Sequence, residues 1–311
     1  MKGRSLTNLA ASVHDRLLNK SKESGRPFNE LLQLFAIERF LFRLSRSSHV
    51  GSFVLKGALM LRAWESPQAR PTKDIDMLGR TANSIENLVA MARDCIAVEV
   101  PDDGIRFDND SVRGERITLD AKYHGVRIHI EGKLGSARLF LQVDFGFGDV
   151  IVPGPIEIEY PELLDFGKPR LLGYTPESAI AEKFEAMVDR ELANSRMKDF
   201  YDIWMLSQRV RFDGGILSRA IRETFNRRGT PLPTEPPLAL TSDFSQDAVK
   251  LTQWKAFLRK GKLEVNEKTF SEIIDVQRGF LMPAAIAAAR NETFEMIWPP
   301  QGDWDKRESE A

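Results

Sequence analysis

The sequence predicts an α+β fold, a mixed sheet with flanking helices followed by a helical bundle, and three observations carry that expectation. Two segments with apolar residues at helical spacing open the chain, between residues 5 and 44. The pattern then changes to period two in several short stretches from Phe53 to Gly146, as strands buried on one face require. Beyond Pro153, Pro155, Pro161 and Pro169 the helical period returns and persists. At 311 residues the chain is long enough for two cores, and the expected boundary divides it into 1–164 and 165–311.

The first helix spans residues 5–24, with Leu9, Val13 and Leu17 on one side, and stops at Gly25 and Pro27. The second, FNELLQLFAIERFLFRL, holds Leu31, Leu34, Phe35, Glu38, Leu41 and Phe42 on a broadly apolar stripe and ends at SRSSH. FVLKG reads as a short buried strand and ALMLRAW as the opening of a helix. DIDML sets Asp74 and Asp76 on one face, with Ile75 and Met77 on the other. A helix from about Ser84 to Cys95 follows. ERITLDAKY, VRIHIEGKL and RLFLQVDFG make a meander, joined by turns at YHG and GSA. In the last of these strands Leu139, Leu141, Val143 and Phe145 share one face, leaving Phe140, Gln142 and Asp144 on the opposite one.

In the second half, Thr175 caps a helix over 177–192 and Pro176 takes its first position, where a missing N–H costs nothing. SRMKDFYDIWMLSQ, GGILSRAIRETFNRRG and SQDAVKLTQWKAFLRKG supply three more helices, the last two separated by the loop TPLPTEPPLALT. The final residues, DWDKRESEA, are expected to be disordered.

Composition narrows the chemistry. One cysteine, Cys95, rules out an intrachain disulfide, and with only four histidines a Cys/His zinc site is disfavoured. His49, His124 and His129 have no partner at ligand spacing. A metal would therefore sit on carboxylates, which suit Mg2+ or Mn2+. There is no run of roughly 18 apolar residues for a membrane span, and MKGRSLTNLAASVHDRLL lacks the apolar centre of a signal peptide. The expected location is the cytoplasm, with no membrane partner. Net charge is −1, yet Arg196 to Lys262 carries 13 Lys or Arg against 7 Asp or Glu, so that stretch is +6 and the remainder −7. Such a stretch is either a solvated helical surface or a polyanion-binding face.

The D-x-D is the most informative local feature. Two ionised carboxylates at i and i+2 of a strand point the same way and repel, and desolvation adds several kcal/mol per ion. A divalent cation resolves that conflict, whereas capping a turn at the strand end is the competing role. Three neighbours favour the cation. Lys56 and Gly57 close the preceding strand, where glycine lets backbone N–H groups, including that of Ala58, approach a phosphate. Asp144 lies on the matching face of a later strand, and Arg70 and Thr72 precede the D-x-D. Strand, glycine turn, helix, D-x-D strand and third carboxylate is the chain order of the polymerase-beta type of nucleotidyltransferase. In the helical half, Lys183 falls at the rim of the stripe formed by Ile180, Phe184, Met187 and Val188. Asp199 falls inside the stripe of Phe200, Ile203 and Leu206, and needs a cation there; Lys183, Lys198 or Arg196 can provide it. A salt bridge between two helices is the structural alternative to lining a nucleotide cleft.

ERFLFRLSRSSHVGSFVLKGALMLRAW, RPTKDIDMLG, LQVDFGFGD, YTPESAIAEKFEAMV and NSRMKDFYDIW together resemble the nucleotidyl transferase AbiEii/AbiGii toxin family, related to the MenT toxins, over about residues 8–262. The resemblance implies a bacterial type IV toxin–antitoxin or abortive-infection toxin, with residues 1–164 as nucleotidyltransferase domain with N-terminal helices and 165–311 as helical domain. It implies transfer of a nucleoside monophosphate from an NTP, with Mg2+ or Mn2+, to an RNA acceptor such as a tRNA 3′ end, or to a protein. It also implies a cognate antitoxin encoded in the same operon. Carried onto this chain, it makes Asp74, Asp76 and Asp144 metal-binding and catalytic, joined by Lys183 and Asp199. Lys56, Gly57, Ala58, Arg70, Thr72, Lys198 and Asp202 fall to nucleotide binding. Where that superfamily has Gly-Gly or Gly-Ser after the first strand, this chain has Gly57-Ala58. Two other classes fit a D-x-D: a Mn2+-dependent nucleotide-sugar transferase and a catalytically inactive binding module.

Overall fold

The computed structural model describes residues 8–64, 70–119, 123–265 and 267–306. The chain divides into two compact units, Met1–Gly148 with Ile156–Gly173, and Asp149–Pro155 with Tyr174–Ala311.

The first unit opens with α1 (Leu9–Ser24), which starts on the Asn8 side chain accepting the Ala11 N–H at 3.0 Å and ends on a left-handed Gly25. α2 (Phe28–Arg46) follows. The remaining elements are β1 (Phe53–Lys56), α3 (Ala58–Ala63), β2 (Asp74–Gly79), α4 (Ile85–Ala97), β3 (Ile105–Leu119), β4 (Tyr123–Leu134), β5 (Ala137–Phe147), β6 (Ile156–Glu159) and β7 (Arg170–Gly173). Their seven strands form one sheet in the order β3-β4-β5-β2-β1-β7-β6. It is mixed, because β2 runs parallel to β5 and β1 parallel to β7 while the other neighbours are antiparallel. One face is apolar: Ile75, Met77, Ile128, Ile130, Leu141 and Val143 are no more than 1% exposed. α2 covers that face along β5, and α4 along β3 and β4. The helices thereby leave the alternate, polar side chains of the same strands on the other face.

α2 also carries buried charges. Arg43 forks Asp103 at 2.7 and 3.1 Å, and Arg39 donates to the carbonyl oxygens of Phe166 and Gly167 at 2.7 and 2.6 Å. Glu38 pairs with Arg39 at 3.0 Å and accepts the Leu163 N–H at 2.6 Å. Its place on the apolar stripe is thus a polar clasp holding residues 163–167 against the helix. Burial pushes the Glu38 carboxyl up to about 7, against the opposing charge of Arg39.

Three sequence expectations change in this unit. The strand expected at ERITLDAKY begins at Ile105, ahead of Glu115, and is interrupted by a bulge between Asp108 and Arg113. The turn expected at YHG lies inside β4, and residues 120–122, between the two strands, lie outside the described residues. The proline-rich stretch after Pro153 holds two further strands, β6 and β7, which finish the sheet beside β1 before the helices begin.

The second unit contains α5 (Pro176–Arg190), α6 (Met197–Arg209), β8 (Phe212–Asp213), α7 (Gly214–Arg228), α8 (Ser242–Gln246), α9 (Ala248–Gly261), α10 (Phe270–Arg290), β9 (Met296–Trp298) and β10 (Asp305–Lys306). α6 is central, with Phe200, Tyr201, Ile203, Trp204, Met205 and Leu206 all buried. The Phe200 ring stacks on Phe244 with centroids 5.3 Å apart and meets Phe270 edge-on at 5.5 Å. α10, the longest helix, is absent from the sequence reading. Its start is nevertheless written in the sequence: Thr269 and Glu272 form a reciprocal capping box. Pro283 lies inside it without ending it.

The expectation of disorder over DWDKRESEA is corrected for its first part. Trp304 stacks on Phe280 at 5.9 Å and donates its indole N–H to the Phe280 carbonyl at 3.0 Å, and β10 pairs with β9. Residues 307–311 lie outside the described residues. Among the described residues no helix is long and apolar enough to cross a membrane.

Candidate active site

The site is built from the polar face of the first unit's sheet. β1 ends at Lys56, and Gly57 turns the chain into α3 with φ 70° and ψ −152°, a conformation that only glycine takes without strain. The turn also backs directly onto the D-x-D: a Cβ at Gly57 would collide with the Asp76 carboxylate. Lys56, half-buried, is the register partner of Asp76 across β1 and β2. Ala58, at the first position of α3, is buried. Arg70 and Thr72 lie on the approach to β2, where the Thr72 hydroxyl donates to the Asp74 carbonyl oxygen at 3.4 Å.

Register brings the three predicted carboxylates to neighbouring strands. Asp76 is opposite Asp144 and Asp74 opposite Gln142 in the parallel β2–β5 pair. Asp144 in turn faces Arg127 on β4, and Arg127 faces Glu115 on β3. One row across five strands therefore reads Glu115, Arg127, Asp144, Asp76, Lys56. Its members alternate in sign except at the adjoining Asp144 and Asp76, the point of greatest like-charge conflict.

The surroundings of the carboxylates differ. Asp74 is exposed, Asp76 half-buried and Asp144 buried. Arg127 holds Asp144 in a fork, with Nε and a terminal nitrogen each 2.8 Å from a carboxylate oxygen, and Gln142 Nε2 lies 3.2 Å from both oxygens. Hydrogen bonding to Asp144 raises the Arg127 pKa, against partial burial, and the charges of Asp144 and Asp74 add to the rise. His129 Nε2 lies 3.1 Å from Glu115, on the same face. Arg127 and Glu115 are missed from sequence, where Gln142 is named only for its strand face and His129 only as lacking a ligand partner. Strand alternation puts each on a polar face, but only pairing register sets Arg127 opposite Asp144.

Among the described residues, no group of three or more His, Cys, Asp or Glu is drawn together to hold an ion, and Asp144 is engaged by Arg127. The donor chemistry of Asp74 and Asp76 fits a hard divalent cation, being two oxygen-bearing side chains on one strand face backed by a glycine turn. Asp144 is in register to serve as a third ligand, where the ion would compete with Arg127 for its oxygens.

The other predicted residues form a cluster of their own in the second unit. Lys183 Nζ, on α5, is 3.1 Å from Asp199 and 2.7 Å from Asp202, both on α6, and Arg196 Nε is 2.6 Å from Asp199. Asp199 and Asp202 have no exposed surface, while the Lys183 side chain is 13% exposed. Burial raises the Asp199 pKa, but the charges of Lys183, Arg196 and Lys198 overcome it and hold the carboxyl at about 2. Lys198 itself is exposed. Part of the basic surplus in this half is used internally. Arg228 is clasped by Glu185 at 2.8 Å, Asp149 at 3.2 Å and Glu182 at 3.5 Å, and Lys250 donates to the carbonyls of Leu192 and Asn194 at 2.6 and 2.9 Å.

A mixed sheet presenting a D-x-D beside a glycine turn, with a third carboxylate in register on the parallel neighbour, has the layout of a nucleotidyltransferase. Residues 39–276 match the nucleotidyl transferase AbiEii toxin family of type IV toxin–antitoxin systems, and the chain belongs to that family. Membership makes it a nucleotidyltransferase, decides against glycosyl transfer and implies an antitoxin partner. Two solved structures from Helicobacter pylori are similar at 13% identity. JHP933 has a TM-score of 0.42 over 92% of this chain and 94% of that one. A protein provisionally described as a nucleotidyltransferase has a TM-score of 0.39 over 92% and 97%. No curated protein matches the chain.

Proposed function

We infer that this protein transfers a nucleoside monophosphate from an NTP to the 3′ end of an RNA, using a divalent cation held by Asp74 and Asp76. The carrying observation is the register of β2 on β5, which sets Asp76 against Asp144 on the open polar face of the sheet. Magnesium or manganese bound there supplies charge neutralisation at the triphosphate and a lowered pKa for the attacking hydroxyl. Asp74 and Asp76 bind that ion, and the Gly57 turn fixes the Asp76 carboxylate from behind. Backbone N–H groups of Gly57 and Ala58, with Lys56, Arg70 and Thr72, receive the nucleotide's phosphates. Arg127 holds the Asp144 carboxylate in place through its 2.8 Å fork. In the second unit, Asp199 and Asp202 hold the Lys183 ammonium between α5 and α6. A cognate antitoxin encoded in the same operon restrains this activity in the cytoplasm.

The test incubates the purified protein with each radiolabelled NTP and total bacterial RNA in Mg2+ or Mn2+. Label should enter an RNA band with one NTP, and tRNA is the band expected. Asp74→Ala, Asp76→Ala and Asp144→Ala should each abolish incorporation. Label retained in Asp76→Ala, or label confined to protein, would overturn the reading.

A further inference from the structure

The polar face carries a second set of residues beyond the carboxylates. Phe140 lies on β5, four residues before Asp144, and is 58% exposed; it is the only aromatic among the exposed large hydrophobic residues described. Strand alternation puts it on the same face as Gln142 and Asp144, about 7 Å along the strand from the Gln142–Asp74 row. Its position is fixed from behind, because Gln33 Nε2 donates to the Phe140 carbonyl at 2.9 Å and reaches the Lys73 carbonyl at 3.4 Å. One ring left to water so close to a catalytic face, on a strand tied in place, is a platform without a visible structural purpose.

One register step further from the carboxylates, Arg106 on β3 faces Lys133 on β4, and Lys133 faces Arg138 on β5. All three are exposed, and none forms an ion pair with another described residue. Like charges directly opposite each other destabilise a sheet, so three in a row call for an anion. In the intervening row are Asp108, Glu131 and Phe140, and Glu131 is paired with Arg113 at 3.5 Å. Along β5 the order is therefore cation, aromatic ring, amide, carboxylate.

We propose that this face is a track for single-stranded RNA, with a base near the strand's 3′ end stacked on Phe140 and upstream phosphates on Arg106, Lys133 and Arg138. An aromatic platform beside a basic stripe is the general chemistry of single-strand binding, and Phe140 positions the acceptor without touching the reacting atoms. The assignment rests on the proposed RNA acceptor, and it puts the RNA contact on the sheet in addition to any made by the basic stretch Arg196–Lys262.

The experiment measures fluorescence polarisation of a short single-stranded RNA with a free 3′ hydroxyl, labelled at its other end, titrated with the full-length protein at several salt concentrations. Phe140→Ala should weaken binding about tenfold. The triple variant Arg106→Gln, Lys133→Gln, Arg138→Gln should reduce the logarithmic salt slope by about 2. Phe140→Trp should keep the affinity, and the emission of the introduced indole should be quenched by the RNA. NTP affinity in the absence of RNA should be unchanged in every variant, and melting temperature should not fall, the triple variant gaining stability from relief of the like-charge row. The proposal is overturned if RNA affinity is indifferent to both sets of changes, or if Phe140→Ala weakens NTP in place of RNA, which would put the nucleotide's own base on the ring. A wild-type protein that binds no RNA overturns it too, while label transfer to another acceptor would leave the nucleotidyltransferase intact. RNA binding through Phe140 without any label transfer would defeat only the proposed reaction.

Discussion

At the residue scale, the Arg127–Asp144 fork is the feature that most constrains how the site works. A guanidinium in two 2.8 Å bonds competes with any cation for Asp144. Arg127→Gln should therefore bind Mn2+ more tightly than the parent, as read by isothermal titration calorimetry without nucleotide. The same change should lower metal-free stability by about 1 kcal/mol, because Arg127 is 31% exposed and water screens part of the loss. Unchanged Mn2+ affinity would show that Asp144 is not a ligand. Lys183 raises the opposite question. Its rim position in the sequence suggested an accessible lysine, yet its partners Asp199 and Asp202 are fully buried. Lys183→Ala leaves them with less compensation and should cost roughly 3–5 kcal/mol in unfolding free energy. A double-mutant cycle with Asp199→Asn, run once on unfolding and once on transfer rate, separates the two roles. Coupling in stability alone, with parental transfer rate in either single variant, would remove both residues from catalysis.

At the element scale, α2 shows how a helix can bury charge and make folding depend on pH. Burial raises the Glu38 pKa from 4.5 in the free side chain to about 7, so between these values the folded chain binds more protons than the unfolded one. Its contribution is fully present below pH 4.5 and lost as pH rises through about 7. Chemical denaturation from pH 5 to 8 should show stability declining across that window, and Glu38→Gln should flatten the slope. Asp199 has the other sign. Its pKa is held at about 2, below the ordinary 3.8, so the stability it contributes is present above 3.8 and lost as pH falls through 2. The elements also show where pattern reading fails. α10 has a capping box, and its apolar residues run through Pro283, which reads as a helix breaker in a linear sequence. β6 and β7 are four residues each and sit among prolines, too short for alternation to declare them.

At the scale of the whole molecule, each unit keeps its own interior. In the first unit β5 and β2 are flanked by strands on both sides, whereas β3 and β6 are the sheet's edges. Hydrogen exchange should accordingly be slowest in β2 and β5 and faster in β3 and β6, as read by mass spectrometry of peptides. Equal protection of edge and interior strands would contradict this topology.

The sequence by itself determined the candidate site residues. The period-two alternation put Asp74 and Asp76 on one strand face and Asp144 on the polar face of another, and the family motifs assigned those acids to nucleotidyl transfer. Two carboxylates repeating on one strand face are legible in a line of letters, because strand geometry is local. What only tertiary structure decided is which faces meet. The pairing of Asp76 with Asp144, the Arg127 fork and the Arg106–Lys133–Arg138 row are all register facts. The Trp304 stack on Phe280 likewise joins residues distant in the chain. A slip of one residue would turn every such side chain to the opposite face, and the burial that forbids the slip belongs to the packed sheet and not to any one strand.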